Sequence, residues 1–120
     1  MTRSNALTVG RLHGTFNVAM GIWPLAHRKS FEAVFGPKVD RWLMYTVAGL
    51  MTCIGATQLT STADPAAVRQ ARRIGMGCAA TLAAIDLVYV PRGRISPMYL
   101  LDALAEAGWL AAWTTTSVSD

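Results

Sequence analysis

Two pairs of polar residues stand one helical turn apart inside otherwise apolar stretches: His13 with Asn17, and Asp102 with Glu106. At i and i+4 spacing both members of a pair lie on one face of a helix. Trp109 and Trp113 continue the Asp102 and Glu106 stripe, and Asp86 adds a third carboxyl in a neighbouring apolar stretch. An imidazole, an amide and carboxyls in an apolar setting can relay a proton, hold a cation, or hydrogen-bond the polar head of an apolar molecule. The same side chains can instead tie helices together, at about 0.6 to 2 kcal/mol for each hydrogen bond. The HxxxN and DxxxE spacings match no nucleotide, metal or nucleophile motif. No residue is therefore singled out as catalytic, no cofactor is named, and no metal site is expected.

The elements that must position these residues follow from composition and pattern. The chain has 120 residues, 52% hydrophobic and 15% charged, with a mean hydropathy of +0.33. The charged share is below the roughly 25% of an ordinary globular domain, which excludes intrinsic disorder. Four apolar blocks cover 7–26, 42–59, 74–90 and 97–113. Each is close to the ~20 residues that cross a ~30 Å hydrocarbon core as a helix. A helix packed in water would carry a polar stripe, yet 42–59 offers only Tyr45, three threonines and Gln58. The pattern predicts an all-α, integral membrane bundle of four transmembrane helices, a single domain over 1–120. Intramembrane ionisable residues are costly, so they mark either a site or a structural pairing.

Register places the polar residues. Asp86 lies eight residues before Arg94 and Asp102 eight after it, so an antiparallel hairpin holds both carboxyls at one depth, near Arg41, Arg92 and Arg94. That end reads either as a salt-bridged cluster or as a polar vestibule with one carboxyl kept protonated. Glu106 falls deeper, at the level of His13 and Asn17. Trp23, Trp42, Tyr45, Tyr89 and Tyr99 read as an aromatic belt.

Helix ends are punctuated by Asp64-Pro65 and Ser96-Pro97, each an N-cap followed by a first-turn proline. The segment HRKSFEAVFGPKVDR reads as a polar loop or as an interfacial stretch with Phe31, Val34 and Phe35 inserted. Gly10 with Gly14, Ala79 with Ala83, and Ala80 with Ala84 allow close backbone approach. Cys53 and Cys78 fall at matching depth and read as small buried hydrophobes. The net charge of +4 comes from basic residues scattered between apolar blocks, and no nucleic-acid partner is expected from such a pattern.

The order GRLHGTFNVAMGIWP and then FGPKVDRWLMYTVAGLMTCIGATQL, across 10–59, resembles the layout of small four-span bacterial proteins of the DoxX-like grouping. Those proteins have a glycine-containing first span, an FG turn, and a second span with a central glycine. The resemblance implies a bacterial inner-membrane protein, and some members of the grouping are linked to quinone-coupled or thiol redox complexes. It transfers no catalytic residue, and YLLDALAEAGW has no counterpart in it. The functional expectation is a binding or accessory subunit whose candidate binding or proton-relay residues are His13, Asn17, Asp86, Asp102, Glu106, Trp109 and Trp113. Its expected partners are the lipid bilayer, a second copy or a membrane complex, and a lipid-soluble small molecule. The alternatives are a membrane enzyme or redox subunit acting on a quinone or isoprenoid, with Glu106 and His13 as proton carriers, and a small proton-coupled transporter.

Overall fold

The computed structural model describes residues 3–116, leaving aside the side chains of Arg3 and Ser4. Five helices follow one another: α1 (Arg3–Ala26), α2 (Arg28–Phe35), α3 (Arg41–Leu59), α4 (Pro65–Tyr89) and α5 (Tyr99–Thr114). Each apolar block lies largely or wholly within one of the four long helices. The extra element is α2, which turns HRKSFEAVF into two helical turns with Phe31 and Phe35 buried. His27 caps it, accepting from the backbone N–H of Ser30 at 3.2 Å. Gly36 ends it at φ +93°, a left-handed conformation that a side chain resists.

Asp64 caps α4 as its sequence position predicts, accepting from Ala66 N–H at 3.2 Å ahead of Pro65. Ser96 accepts from Met98 N–H at 3.2 Å, and its carbonyl accepts from Tyr99. The Ser96-Pro97 pair thus organises a preparatory turn, and regular helix begins at Tyr99.

The closest helix pair is α1 against α3, antiparallel, and glycine makes it so. A Cβ on Gly14 would stand 2.7 Å from Gly55 O and 2.6 Å from Leu59 N, and one on Gly55 would stand 2.7 Å from Gly14 O. The second antiparallel pair is α4 with α5. One core cluster joins Ala6, Val68, Ala71 and Trp113 across α1, α4 and α5. The other joins Phe31, Phe35 and Met44, with Met20, Trp23 and Tyr99 packed against it.

The all-α reading holds, but the membrane-spanning reading is overturned. Among the described residues no helix is long and apolar enough to cross a membrane, and the helices number five. The expected multi-pass, four-helix transmembrane bundle and its placement in the bacterial inner membrane are therefore corrected. The physical reasons are particular to each helix. At 16 residues α5 is about 24 Å long at 1.5 Å per residue, short of the ~20 residues a span needs. Arg69, Arg72 and Arg73 occupy the first turns of α4, and Asp86 its last. Arg11, His13 and Asn17 interrupt α1. In α3, threonines, glycines and Gln58 dilute the apolar residues. The aromatic belt dissolves with it, because Trp23 and Tyr99 pack on the Phe31 cluster while Trp42 is 69% exposed.

The molecule is thin, 44 × 28 × 17 Å, so most helices keep one face uncovered. Leu50, Leu87, Leu101 and Leu104 are among the large apolar side chains on those faces.

Candidate functional site

Helical periodicity aims a stripe from each long helix at the interior. On α1 the buried positions are Ala6, Gly10, His13, Gly14, Asn17, Gly21 and Pro24. On α3 they are Met44, Ala48, Gly55 and Gln58. On α4 they are Val68, Ala71, Gly75, Ala79 and Asp86, and on α5 Ala103, Glu106 and Trp113. Polar residues thus arrive inside because they occupy core positions of their helices. His13, Asn17, Gln58 and Glu106 have no exposed surface, and Asp86 has 3%.

They form two groups. In the first, Trp113 Nε1 donates to His13 Nδ1 at 2.9 Å, and Gln58 Nε2 lies 3.1 Å from the same nitrogen. Asn17 Nδ2 donates to Gln58 Oε1 at 2.8 Å, and Trp109 stacks on the imidazole at a 4.6 Å centroid distance. An indole N–H only donates, so His13 Nδ1 carries the lone pair and the neutral ring carries its proton on Nε2. Burial pushes the His13 pKa down to about 4. The expected result is an Nε2–H tautomer that does not titrate between pH 8 and 5.5, read from long-range nitrogen–proton NMR correlations of the ring. A ring that titrates near pH 6.5 would contradict this network.

Gly75 makes room for the first group: a Cβ there would stand 2.9 Å from Trp113 Nε1 and 3.1 Å from His13 Nδ1. Gln58 and Gly75 are the two members that sequence reasoning missed. The available signal for Gln58 was its position three residues after Gly55, on the Met44 and Ala48 face.

The second group is Asp86, Asp102 and Glu106. Burial first, then the adjoining Asp102 carboxyl through hydrogen bonding and its charge, raises the Asp86 pKa to about 8. Burial and the same neighbour raise Glu106 to about 9. Burial first, then the charge of these carboxyls, lifts the Cys78 thiol to about 11 and raises the Tyr99 phenol. Asp86 Oδ2, both Glu106 carboxyl oxygens, His13 Nε2 and Asn17 Oδ1 are buried without a well-formed hydrogen bond. The expected salt-bridged cluster is absent: among the described residues the ion pair is Arg28 with Glu32 on α2, at 3.1 Å, and no arginine reaches these carboxyls. Cys53 and Cys78 are both free, Cys53 exposed.

Holding a proton on Glu106 carries a stability cost. The unfolded carboxyl ionises near 4.5 and the folded one near 9, so this residue's contribution is complete below about pH 4.5 and is lost as pH rises towards 9. At pH 7 the loss is about 3 kcal/mol. Glu106→Gln, which has the shape without the proton, is expected to stabilise the fold at pH 7 by up to about that amount and to flatten its pH dependence. Urea unfolding at pH 5, 7 and 8.5 measures this; equal stability of the two proteins at all three would refute it.

A cleft of about 1010 Å³ opens beside the second group. Met20, Phe35, Met44, Val47 and Leu82 contribute apolar wall, and Asp86, Tyr99 and Asp102 contribute polar floor. His13, Asn17, Glu106, Trp109 and Trp113 stand outside the lining. Asp86 and Asp102 are thus the sequence candidates that face the cleft. Among the described residues no group of histidine, cysteine, aspartate or glutamate is arranged to hold a metal ion.

The fold and site define an all-α chain with a buried histidine network and an acid-floored apolar cleft. Compared with known proteins, the chain matches no family model, no curated protein and no solved structure.

Proposed function

We propose that the chain is a binding or accessory subunit whose cleft takes up a lipid-soluble small molecule and reads its polar end with Asp86 and Asp102. One observation carries this reading: a buried carboxyl with an unpartnered oxygen stands at the floor of a large apolar cleft. An unsatisfied buried polar group costs about 1–3 kcal/mol, and a ligand donor or acceptor removes that cost. The volume suits a drug-sized molecule. The exposed leucines of α3, α4 and α5 support the subunit half of the reading, since uncovered large apolar side chains are the usual ground of association. The His13 network stands outside the cleft lining, and burial keeps its imidazole neutral near pH 7.

Native mass spectrometry of the purified protein tests the proposal, with Val47→Trp as a cleft-filling variant. Val47 lines the cleft and is 42% exposed, so a larger ring occupies the space without breaking the core. The expected result is a discrete small organic molecule on the wild type that Val47→Trp lacks. The same molecule on both proteins, or on neither after incubation with a short-chain quinone and a C15 isoprenoid alcohol, would overturn it.

A further inference from the structure

The cleft combines features that together select a ligand class. Its floor has two adjoining carboxyls, with a third, Glu106, one helical turn behind Asp102, and no basic side chain forms an ion pair with any of them among the described residues. Asp86 is 3% exposed with Oδ2 unpartnered. Its wall is aromatic: Phe35 lies on Phe31 at 5.0 Å and on Tyr99 at 4.8 Å between centroids. The chain's own ammonium already stands against that wall. Lys38 Nζ is 4.5 Å from the Tyr99 centroid and 6.0 Å from that of Phe31, and it donates to Phe35 O at 3.0 Å. Aromatic faces with unpaired carboxyls behind them are the chemistry that recognises organic cations.

We propose that this cleft is a receptor for a lipophilic organic cation, seated between Phe35, Tyr99 and the Asp86 and Asp102 carboxyls. The inference rests on the reading of the cleft as a binding site. Because burial raises the Asp86 pKa to about 8, a cation seated beside it displaces that proton to solvent near neutral pH, and no covalent bond to the ligand forms or breaks. The charged and titratable groups around the pair come from each surrounding element: Asp86 and Cys78 from α4, and Tyr99, Asp102 and Glu106 from α5. Lys38 and Asp40 of the α2–α3 connection and Arg94 of the α4–α5 turn also line the cleft, while α1 and α3 contribute apolar side chains to it. Burial lowers the Lys38 pKa, so its ammonium is poorly solvated and competes with an incoming cation for the same wall.

Tetraphenylphosphonium and tetraphenylborate share one shape and carry opposite charge, so they separate charge recognition from apolar fit. Calorimetric titration of the full chain at pH 6, 7 and 8, in buffers of differing ionisation enthalpy, reads affinity and proton release together. Tetraphenylphosphonium is expected to bind more tightly than tetraphenylborate, to release close to one proton at pH 6 to 7, and to gain about tenfold in affinity across that pH unit. Asp86→Asn is expected to lose at least about tenfold and to abolish the proton release, whereas Lys38→Met is expected to bind more tightly than wild type. Circular dichroism of both variants confirms the fold in the same samples. Tighter binding of tetraphenylborate, or phosphonium binding unchanged by pH and by Asp86→Asn, would overturn the cation assignment while leaving a binding cleft. Binding of neither ion, with no small molecule on the purified wild type, would overturn the binding-site reading itself.

Discussion

Gly14→Val is expected to cost more than about 4 kcal/mol of stability, enough to unfold a domain at the low end of the usual range. A Cβ at position 14 would meet Gly55 O and Leu59 N at 2.7 and 2.6 Å. Both are backbone atoms of the facing helix and cannot rotate aside, so α1 and α3 must separate. Gly14 has His13 beside it on the chain, so separation also breaks Gln58 from His13 and Asn17. Overpacking alone costs about 1–3 kcal/mol, and loss of a buried network takes the total beyond about 4 kcal/mol. That is roughly a quarter to four-fifths of the ~5–15 kcal/mol that keeps a domain folded. Gly49→Ala supplies the control: it lies in the same helix pair, on α3, with nothing within 4 Å of its Cβ position. Removing a helical glycine there is expected to gain about 0.5–1 kcal/mol. Thermal melting followed by circular dichroism distinguishes the two. A cooperative Gly14→Val melt within a few degrees of wild type would show that the close approach contributes nothing.

What could be read from the chain depended on whether a residue carries its own structural instruction. Asp64-Pro65 does, because the cap and the first-turn proline are both local, and the helix begins where they stand. The shared level of Asp86 and Asp102 was also legible, since a short antiparallel connection fixes register by counting from Arg94. The partner of His13 was not. Level alone placed His13 and Asn17 beside Glu106, but hydrogen-bond chemistry gave His13 to Trp113 and Gln58, whose N–H groups need an acceptor. That choice depends on which face of α3 meets α1, and Gly14 and Gly55 fix it only in three dimensions. The short helix α2 was hidden for a different reason. Its buried residues Phe31 and Phe35 are a single i, i+4 pair, too few repeats for periodicity to stand out from a loop. The membrane reading failed because block-by-block apolarity counts residues and overlooks where each helix spends its polar ones: arginines at the start of α4, a buried amide and imidazole in α1, and a short α5.

Trp113→Ala is expected to remove about 3–5 kcal/mol of stability, the range for deleting a buried aromatic ring. Trp113 is fully buried and is the largest fully buried side chain. It closes the cluster of Ala6, Val68 and Ala71, and its ring edge would stand 3.2 Å from a Cβ on Gly10, so no neighbour is placed to fill the void cheaply. Trp113→Phe separates ring from hydrogen bond. It keeps most of the apolar volume and removes the indole N–H that donates to His13 Nδ1. Its cost is expected at about 1–2 kcal/mol, because Gln58 Nε2 remains beside the same nitrogen. With one donor gone the imidazolium is less disfavoured at Nδ1, so the His13 pKa is expected to rise from about 4. The acid-dependent loss of stability would then run only from the ordinary 6.5 down to the new value, so it is expected to be smaller than in wild type. Wild type loses this contribution as pH falls from about 6.5 to 4, because the unfolded ring binds the proton first. Urea unfolding of wild type, Trp113→Phe and Trp113→Ala at pH 5 and 7 reads both effects. Equal losses from phenylalanine and alanine would mean that the N–H, rather than the ring, holds α5 to α1.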